Sequence, residues 1–291
     1  MNIKRLLSGA LAAALLVLPG CRRTAPEPVD PHAGMIQVLY GSEGPVWVND
    51  QEGVPVSAFT ESEFSTDGQY RRYNGVHSSM TGVDVSEHQL EIDWQQVKDA
   101  GIGFAMIRAG YRGSTQGGLY TDEYFYRNIQ GALDAGLEVG AYFFSQATSR
   151  AEAVAEAGYV TALLEDYKDR ITMPVVFDWE ETGTADARTA GIENRQISEC
   201  AQAFCQAVAG EGYTPCVYFN RHMGYYQYDL SLLTDYLIWF AGEGNYPDFH
   251  FRHSMWQYTF TGEVPGIPTE VDLDLFIDLP PVPEPTPEPT E

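Results

Sequence analysis

Between residues 80 and 279 the chain alternates short apolar runs with longer stretches whose apolar residues recur every three to four positions. The short runs fall at 82–85, 104–109, 138–144, 173–177, 216–219, 237–241, 254–258 and 271–276. Their length and their Val, Ile and aromatic content predict buried strands. Helical periodicity predicts helices over 94–100, 122–135, 151–167 and 194–209. Strands alternating with helices imply a parallel sheet covered by its own crossovers. Eight such strands predict a closed, TIM-like β/α barrel. It is degenerate in its last third, because no good helix separates the final strands. A barrel of this kind builds its active site at the carboxyl ends of its strands.

The flanks read differently. Lys4 and Arg5 precede the apolar run Leu6 to Leu18 and then Pro19-Gly20-Cys21, the pattern of a secretory signal over 1–20. Leu18-Pro19-Gly20-Cys21 resembles a bacterial lipobox, so Cys21 is expected to be lipidated and to anchor the chain to the membrane. Residues 21–34 are Pro-rich and charged and suit a tether. Residues 35–79 are expected to form a small, β-rich or partly disordered appendage. Within it Val46-Trp47-Val48 and Val54-Pro55-Val56 flank Asp50-Gln51-Glu52-Gly53 as a hairpin. The tail 280–291 reads PPVPEPTPEPTE and suits a disordered or polyproline segment.

Composition narrows the function. A net charge of −24 argues against nucleic acid, which needs clustered Lys and Arg. The only lysines, Lys4, Lys98 and Lys168, lie in no phosphate-binding loop. Besides Cys21 the cysteines are Cys200, Cys205 and Cys216, read as buried thiols with a Cys205–Cys216 bridge as the alternative. No C-x-x-C pair, and no H-x-H or H-x-D spacing at His88, His222, His250 or His253, suggests zinc. No metal or cofactor is expected, and the chain is expected to act as a monomer. Eighteen Tyr, fourteen Phe and five Trp suffice to furnish a sugar-stacking cleft, although most should pack the core.

The candidate chemistry sits at strand ends. Asp178 and Glu180 close the run 173–177. Two apart on a strand, they face the same way with Cβ atoms about 6.5 Å apart. Facing carboxyls repel, so one tends to keep a proton while the other ionises, and glycoside hydrolysis needs such a pair. Alone, the pair would sooner be read as a solvated strand end or a metal site. Asp84 closes the first strand, and Asp272 and Asp274 lie on the last. Strands one and eight are neighbours in a closed barrel and strand four faces them, so Asp84, Asp178, Glu180 and Asp272 can converge on one cleft.

These residues sit within a wider pattern. It includes Gly82-Val83-Asp84-Val85-Ser86, His88-Gln89, Ile92-Asp93-Trp94, Ile107-Arg108-Ala109-Gly110-Tyr111 and Ala135-Gly136-Leu137. It continues through the Tyr142 strand, Asp178-Trp179-Glu180, Trp256-Gln257-Tyr258 and Val271-Asp272. In this order the set resembles the family 25 glycoside hydrolases, the N-acetylmuramidase lysozymes, over residues 81 to 279. The chain departs from the family at Tyr142-Phe143-Phe144-Ser145 (often Tyr-His-Tyr-Ser), at Asp272-Leu273-Asp274 (often Asp-x-Asn) and at Leu90 (often Gly).

The resemblance implies a muramidase that cuts the β-1,4 bond between N-acetylmuramic acid and N-acetylglucosamine in peptidoglycan, outside the cytoplasm. It implies Glu180 as general acid, Asp178 as the residue steering the substrate acetamido group, and Asp84 and Asp272 as supporting carboxylates. Tyr142, Phe144, Trp256, Tyr258, Tyr111 and Asp274 are the expected substrate-binding residues. Trp179 is equally a cleft wall or core, and Arg108 is expected to pair with an aspartate. Alternatives are a chitinase-like hydrolase acting on acetamido sugars, a non-catalytic glycan-binding barrel and, weakly, a metal-dependent phosphodiesterase.

Overall fold

The computed structural model describes residues 30–184 and 186–280; the expected leader, Cys21 and residues 281–291 lie outside them. From Gly34 onward the chain forms one compact unit. Its strands are β1 Met35–Leu39, β2 Pro45–Asn49, β3 Phe64–Asp67, β4 Tyr70–Tyr73, β5 Ser79–Val85, β6 Phe104–Arg112, β7 Leu119–Thr121, β8 Glu138–Ser145, β9 Val175–Trp179, β10 Pro215–Asn220, β11 Leu237–Ala241, β12 Met255–Gly262 and β13 Val271–Ile277. Its helices are α1 Trp94–Asp99, α2 Phe125–Asp134, α3 Arg150–Leu164, α4 Asn194–Gly210 and α5 Arg221–Tyr226.

Eight strands close a barrel in the order β5-β6-β8-β9-β10-β11-β12-β13, with β13 returning to β5. All neighbours from β5 round to β12 are parallel. Against the parallel barrel expected from the sequence, β13 runs antiparallel to both β12 and β5. The reason is the connection. Only about eight residues separate β12 from β13, and a parallel crossover needs a dozen or more. The turn therefore reverses the strand, and its amino end, not its carboxyl end, reaches the barrel mouth.

Side-chain alternation divides the apolar residues into two cores. Phe104, Met106, Val176, Cys216 and Met255 pack together within the barrel. Val83, Val85, Phe143, Phe177, Phe219 and Leu273, in the opposite phase, pack outward with the helices. Space inside is tight enough to dictate Gly82. A Cβ there would lie 2.3 Å from the Phe104 ring.

Helices follow the first five barrel strands; none lies between β11 and β12 or between β12 and β13. The outer face of that wall still carries Trp256, Tyr258, Leu273 and Leu275. Residues 35–79 cover part of it. Phe64 meets Trp256 edge-on at 5.8 Å, and the Arg71 guanidinium lies over the Tyr258 ring. Gln69 exchanges two hydrogen bonds with the Glu263 backbone, at 2.6 and 2.9 Å.

The hairpin expected across 50–53 is not formed. β2 pairs instead with β1, and Val56 bridges to Phe251. Pro55 has no N–H to give a ladder, and its carbonyl accepts from Arg252 of the barrel. Two further elements went unanticipated. α5 is only six residues long, and β7 pairs along the edge of β6.

Candidate active site

Alternation along β5 turns Asp84 inward while Val83 and Val85 join the outer core. Ser86 then stops the strand. Its hydroxyl accepts from the His88 amide, and Gln89 reaches back to the Ser86 N–H. In β9, Val176 points inward and Phe177 outward, so Asp178 points inward again. Glu180, the first residue past that strand, keeps the same phase. The reversed β13 sets Asp272 opposite Asp84 and Asp274 opposite Gly82, one layer deeper.

The result is a cavity of about 210 Å³ at the carboxyl ends of the parallel strands, into which Asp84, Asp178, Glu180 and Asp272 all face. Tyr142 and Phe144 line it from β8 and Arg108 from β6. Arg108 is anchored by Asp122 at 2.7 Å and Glu87 at 3.1 Å. A larger cavity of about 550 Å³ opens at the opposite end of the barrel, among Pro215, Leu237 and Ser254. Its lining carries Asp235 and Asp278 but not the four-carboxyl cluster of the mouth, and size alone does not make it the reactive site.

Burial governs the protonation of the cluster. It pushes Asp178 well above the usual carboxylate range; the charges of Glu180 and Asp84 add to this, and Arg108 opposes it. Burial also raises Glu180. Asp272 is pushed up to about 9 by burial, then by Asp84 and Glu180. Asp84 rises well above its ordinary value through burial first and the neighbouring Asp274 second. The cleft therefore holds protons at neutral pH that exposed carboxyls would have lost. Asp178 Oδ1 is a buried oxygen without a hydrogen-bond partner among the described residues.

Four residues expected to bind substrate lie elsewhere. Trp256 and Tyr258 belong to the outer core, because β12 turns Met255 and Gln257 inward. Trp179, which the sequence left as either cleft wall or core, is outer core and fully buried. Tyr111 stacks on Tyr120, with the Arg108 guanidinium over its ring. Asp274 lies beneath the cavity, fully buried, where it accepts from Trp239 Nε1 at 2.9 Å.

The inward residues that sequence reasoning passed over are Gln257, Tyr218 and Trp239. The Tyr218 hydroxyl donates to Gln257 Oε1 at 2.8 Å, and Gln257 Nε2 donates to Asp84 Oδ2 at 2.6 Å. The phase of β12 carried the signal, since Trp256 and Tyr258 share a face and the residue between them takes the other.

A barrel whose mouth gathers buried carboxyls has the groups that glycoside hydrolysis needs. The model for glycosyl hydrolases family 25 matches residues 83–267, and the chain belongs to that family. It is 28% identical over 208 residues to lysozyme M1 of Streptomyces globisporus, covering 68% of each chain. It is 30% identical over 202 residues to the autolytic lysozyme of Clostridium acetobutylicum, covering 68% of this chain and 56% of that one. The crystal structure of a bacterial lysozyme from Streptomyces coelicolor superposes with a TM-score of 0.53 at 26% identity, over 68% of this chain and 92% of that chain. Asp272 falls just beyond the residues the family model matches.

Proposed function

We propose that Glu180 is the proton donor and Asp178 the acetamide-steering residue of this enzyme, a peptidoglycan-hydrolysing muramidase of family 25. The observation that carries the assignment is the unpartnered Asp178 Oδ1, buried beside Glu180 in the cleft. A buried acceptor needs a donor, and an N-acetyl sugar brings one in its amide N–H. That hydrogen bond favours the Asp178 anion. Burial, with the charges of Glu180 and Asp84, raises Asp178, and burial raises Glu180. The bound amide favours the Asp178 anion and so leaves the proton with Glu180 at the lip.

The reaction then balances without an enzyme nucleophile. The acetamide oxygen attacks the anomeric carbon of N-acetylmuramic acid, and the glycosidic bond breaks as Glu180 passes its proton to the leaving oxygen. The Glu180 anion next takes a proton from water, which attacks the same carbon and reopens the cyclic intermediate. Substrate-assisted hydrolysis of this kind is a recognised exception to the two-carboxylate scheme. Asp84 and Asp272 support the pair, and Tyr142 and Phe144 offer ring faces to the sugar.

The lipobox-like ending at Cys21 supports a lipid anchor that holds the enzyme outside the cytoplasm, next to the wall. Its net charge of −24 gives no attraction to an anionic polymer. Localisation therefore falls to the anchor and the cleft.

The bond assignment is tested by digesting purified peptidoglycan and reducing the products with borohydride. Muramitol as the new end supports it. Glucosaminitol, or efficient cutting of chitin oligomers in place of peptidoglycan, refutes it.

A further inference from the structure

Glu180 is the first residue that the sheet does not hold. The ladder of β9 ends at Trp179, which pairs with Ser145, the last residue of β8. On the other side it ends at Asp178, opposite Tyr218. Beyond these rungs the strands have no further pairing, yet the carboxyl of Glu180 must point into the cleft rather than out to water. The neighbour of Glu180 across this open end is Gln146.

Gln146 is fully buried. Its Nε2 donates to the Glu180 carbonyl at 2.7 Å and to the Ser145 carbonyl at 2.8 Å. Its Oε1 accepts from the Thr189 hydroxyl at 3.2 Å. Three of the four hydrogen-bonding positions of the amide are thus used, and one of them lies directly behind Glu180. The backbone around Gln146 is itself tied down. Its carbonyl accepts from Arg188 Nη1, and Arg188 makes a two-point pair with Glu152 at 2.5 and 3.0 Å. Thr189 and Arg188 belong to the loop that leaves Glu180, and Glu152 lies in the first turn of α3. One buried amide therefore joins the end of β8, the end of β9 and the loop beyond it.

We infer that Gln146 is a positioning residue for Glu180: its side-chain amide adds a rung to the ladder after the strands have ended, and so fixes the peptide that aims the Glu180 carboxyl into the cleft. The inference rests on Glu180 being the proton donor. Gln146 touches no substrate and moves no proton. It acts by keeping Glu180 sunk among the groups facing it, which are Asp84 and His88 from β5 and its turn, Arg108 from β6, Tyr142 from β8, Asp178 from β9, Tyr218 from β10 and Asp272 from β13. Because burial is what raises Glu180, losing the rung lets the carboxyl turn toward water and give up its proton at lower pH. A displacement of about 1 Å at a catalytic group costs on the order of 100-fold in rate.

The test compares wild type, Gln146→Ala, Gln146→Asn and Thr189→Val, with Val208→Ala in the α4 core as a control for general loosening. Two readouts are taken. One is the pH profile of kcat on peptidoglycan. The other is the Glu180 carboxyl titration by carbon NMR, assigned by difference from Glu180→Gln, which requires no turnover. Gln146→Ala should lower kcat about 10- to 100-fold with KM little changed. It should also move the basic limb and the Glu180 titration down by roughly half a pH unit or more. Asn, one methylene short, should behave like Ala. Thr189→Val should shift both in the same direction by less. Val208→Ala should lower the melting temperature and shift neither.

A wild-type titration of Glu180 in folded Gln146→Ala overturns the inference, as does an equal shift in Val208→Ala. If Gln146→Ala does not fold, an unshifted Thr189→Val overturns it. A shifted titration in a protein whose wild type does not cut peptidoglycan supports the positioning role and refutes the muramidase assignment. The NMR readout therefore separates the two.

Discussion

Asp272 lies directly opposite Asp84 across the antiparallel seam between β13 and β5. Directly opposed Cα atoms in such a seam are about 4.5 to 5.5 Å apart, so the two carboxyls cannot both carry charge cheaply. Burial first and the facing Asp84 second push Asp272 up to about 9, whereas in the unfolded chain it loses its proton near pH 4. Below pH 4 both states hold the proton and stability is unaffected. Between 4 and 9 only the folded state holds it, so this group makes stability fall as pH rises, and the fall ends above 9. Asp272→Asn should flatten the decline of melting temperature between pH 5 and pH 8. An unchanged slope would show that Asp272 ionises normally in the fold.

Gln257 links Tyr218 to Asp84 through two buried hydrogen bonds. Gln257→Leu leaves both partners unsatisfied, at a cost of about 1–3 kcal/mol each. The variant should lose about 2 kcal/mol or more in urea unfolding and about tenfold in kcat. Full activity in Gln257→Leu would remove Asp84 from the reacting cluster.

Leu90 is the only non-glycine residue with positive φ among the described residues, at 57° with ψ −140°. It stands where the family resemblance has a frequent Gly, and its side chain is half exposed. A backbone of this kind costs a non-glycine residue on the order of 1–3 kcal/mol. Leu90→Gly should therefore stabilise the fold by about 1 kcal/mol, where a mid-chain glycine would ordinarily destabilise it. Denaturant titration of the two proteins decides the sign.

Phe64 packs edge-on against Phe59 and Trp256, where the barrel wall has no helix. Phe64→Ala should cost about 2 kcal/mol, below the 3–5 typical of a fully buried Phe. kcat should be unchanged, because Trp256 faces away from the cleft. A selective loss of activity at unchanged stability would instead place residues 35–79 in substrate binding.

The short apolar runs and the helical periodicity were enough to read eight strands, the helices after strands one to four and the acidic residues at the strand ends. The direction of β13 was not legible, because Val271–Ile277 reads as the same apolar run in either sense. Direction is set by the short connection before it. The same reversal carries Asp272 to the mouth from the start of its strand rather than the end. Trp256 and Tyr258 misled because aromatic residues suit both a sugar face and a core. What decided between them was the inward phase of Met255. Gln146 carried no sequence signal of its own, since its role depends on β8 and β9 ending side by side.

The account stands on Glu180 delivering a proton while the substrate's own acetamide, steered by Asp178, attacks the anomeric carbon. The most direct measurement is proton NMR of the nascent reducing end during peptidoglycan digestion, alongside strands N-deacetylated at the sugar whose bond is cut. Glu180→Gln serves as the blank, since a positioned acid contributes about 10²–10⁴-fold. The account predicts a β-anomer first, resistance of the deacetylated strands and no product from the folded Gln variant. An α-anomer appearing first, with efficient cutting of deacetylated glycan, would contradict it.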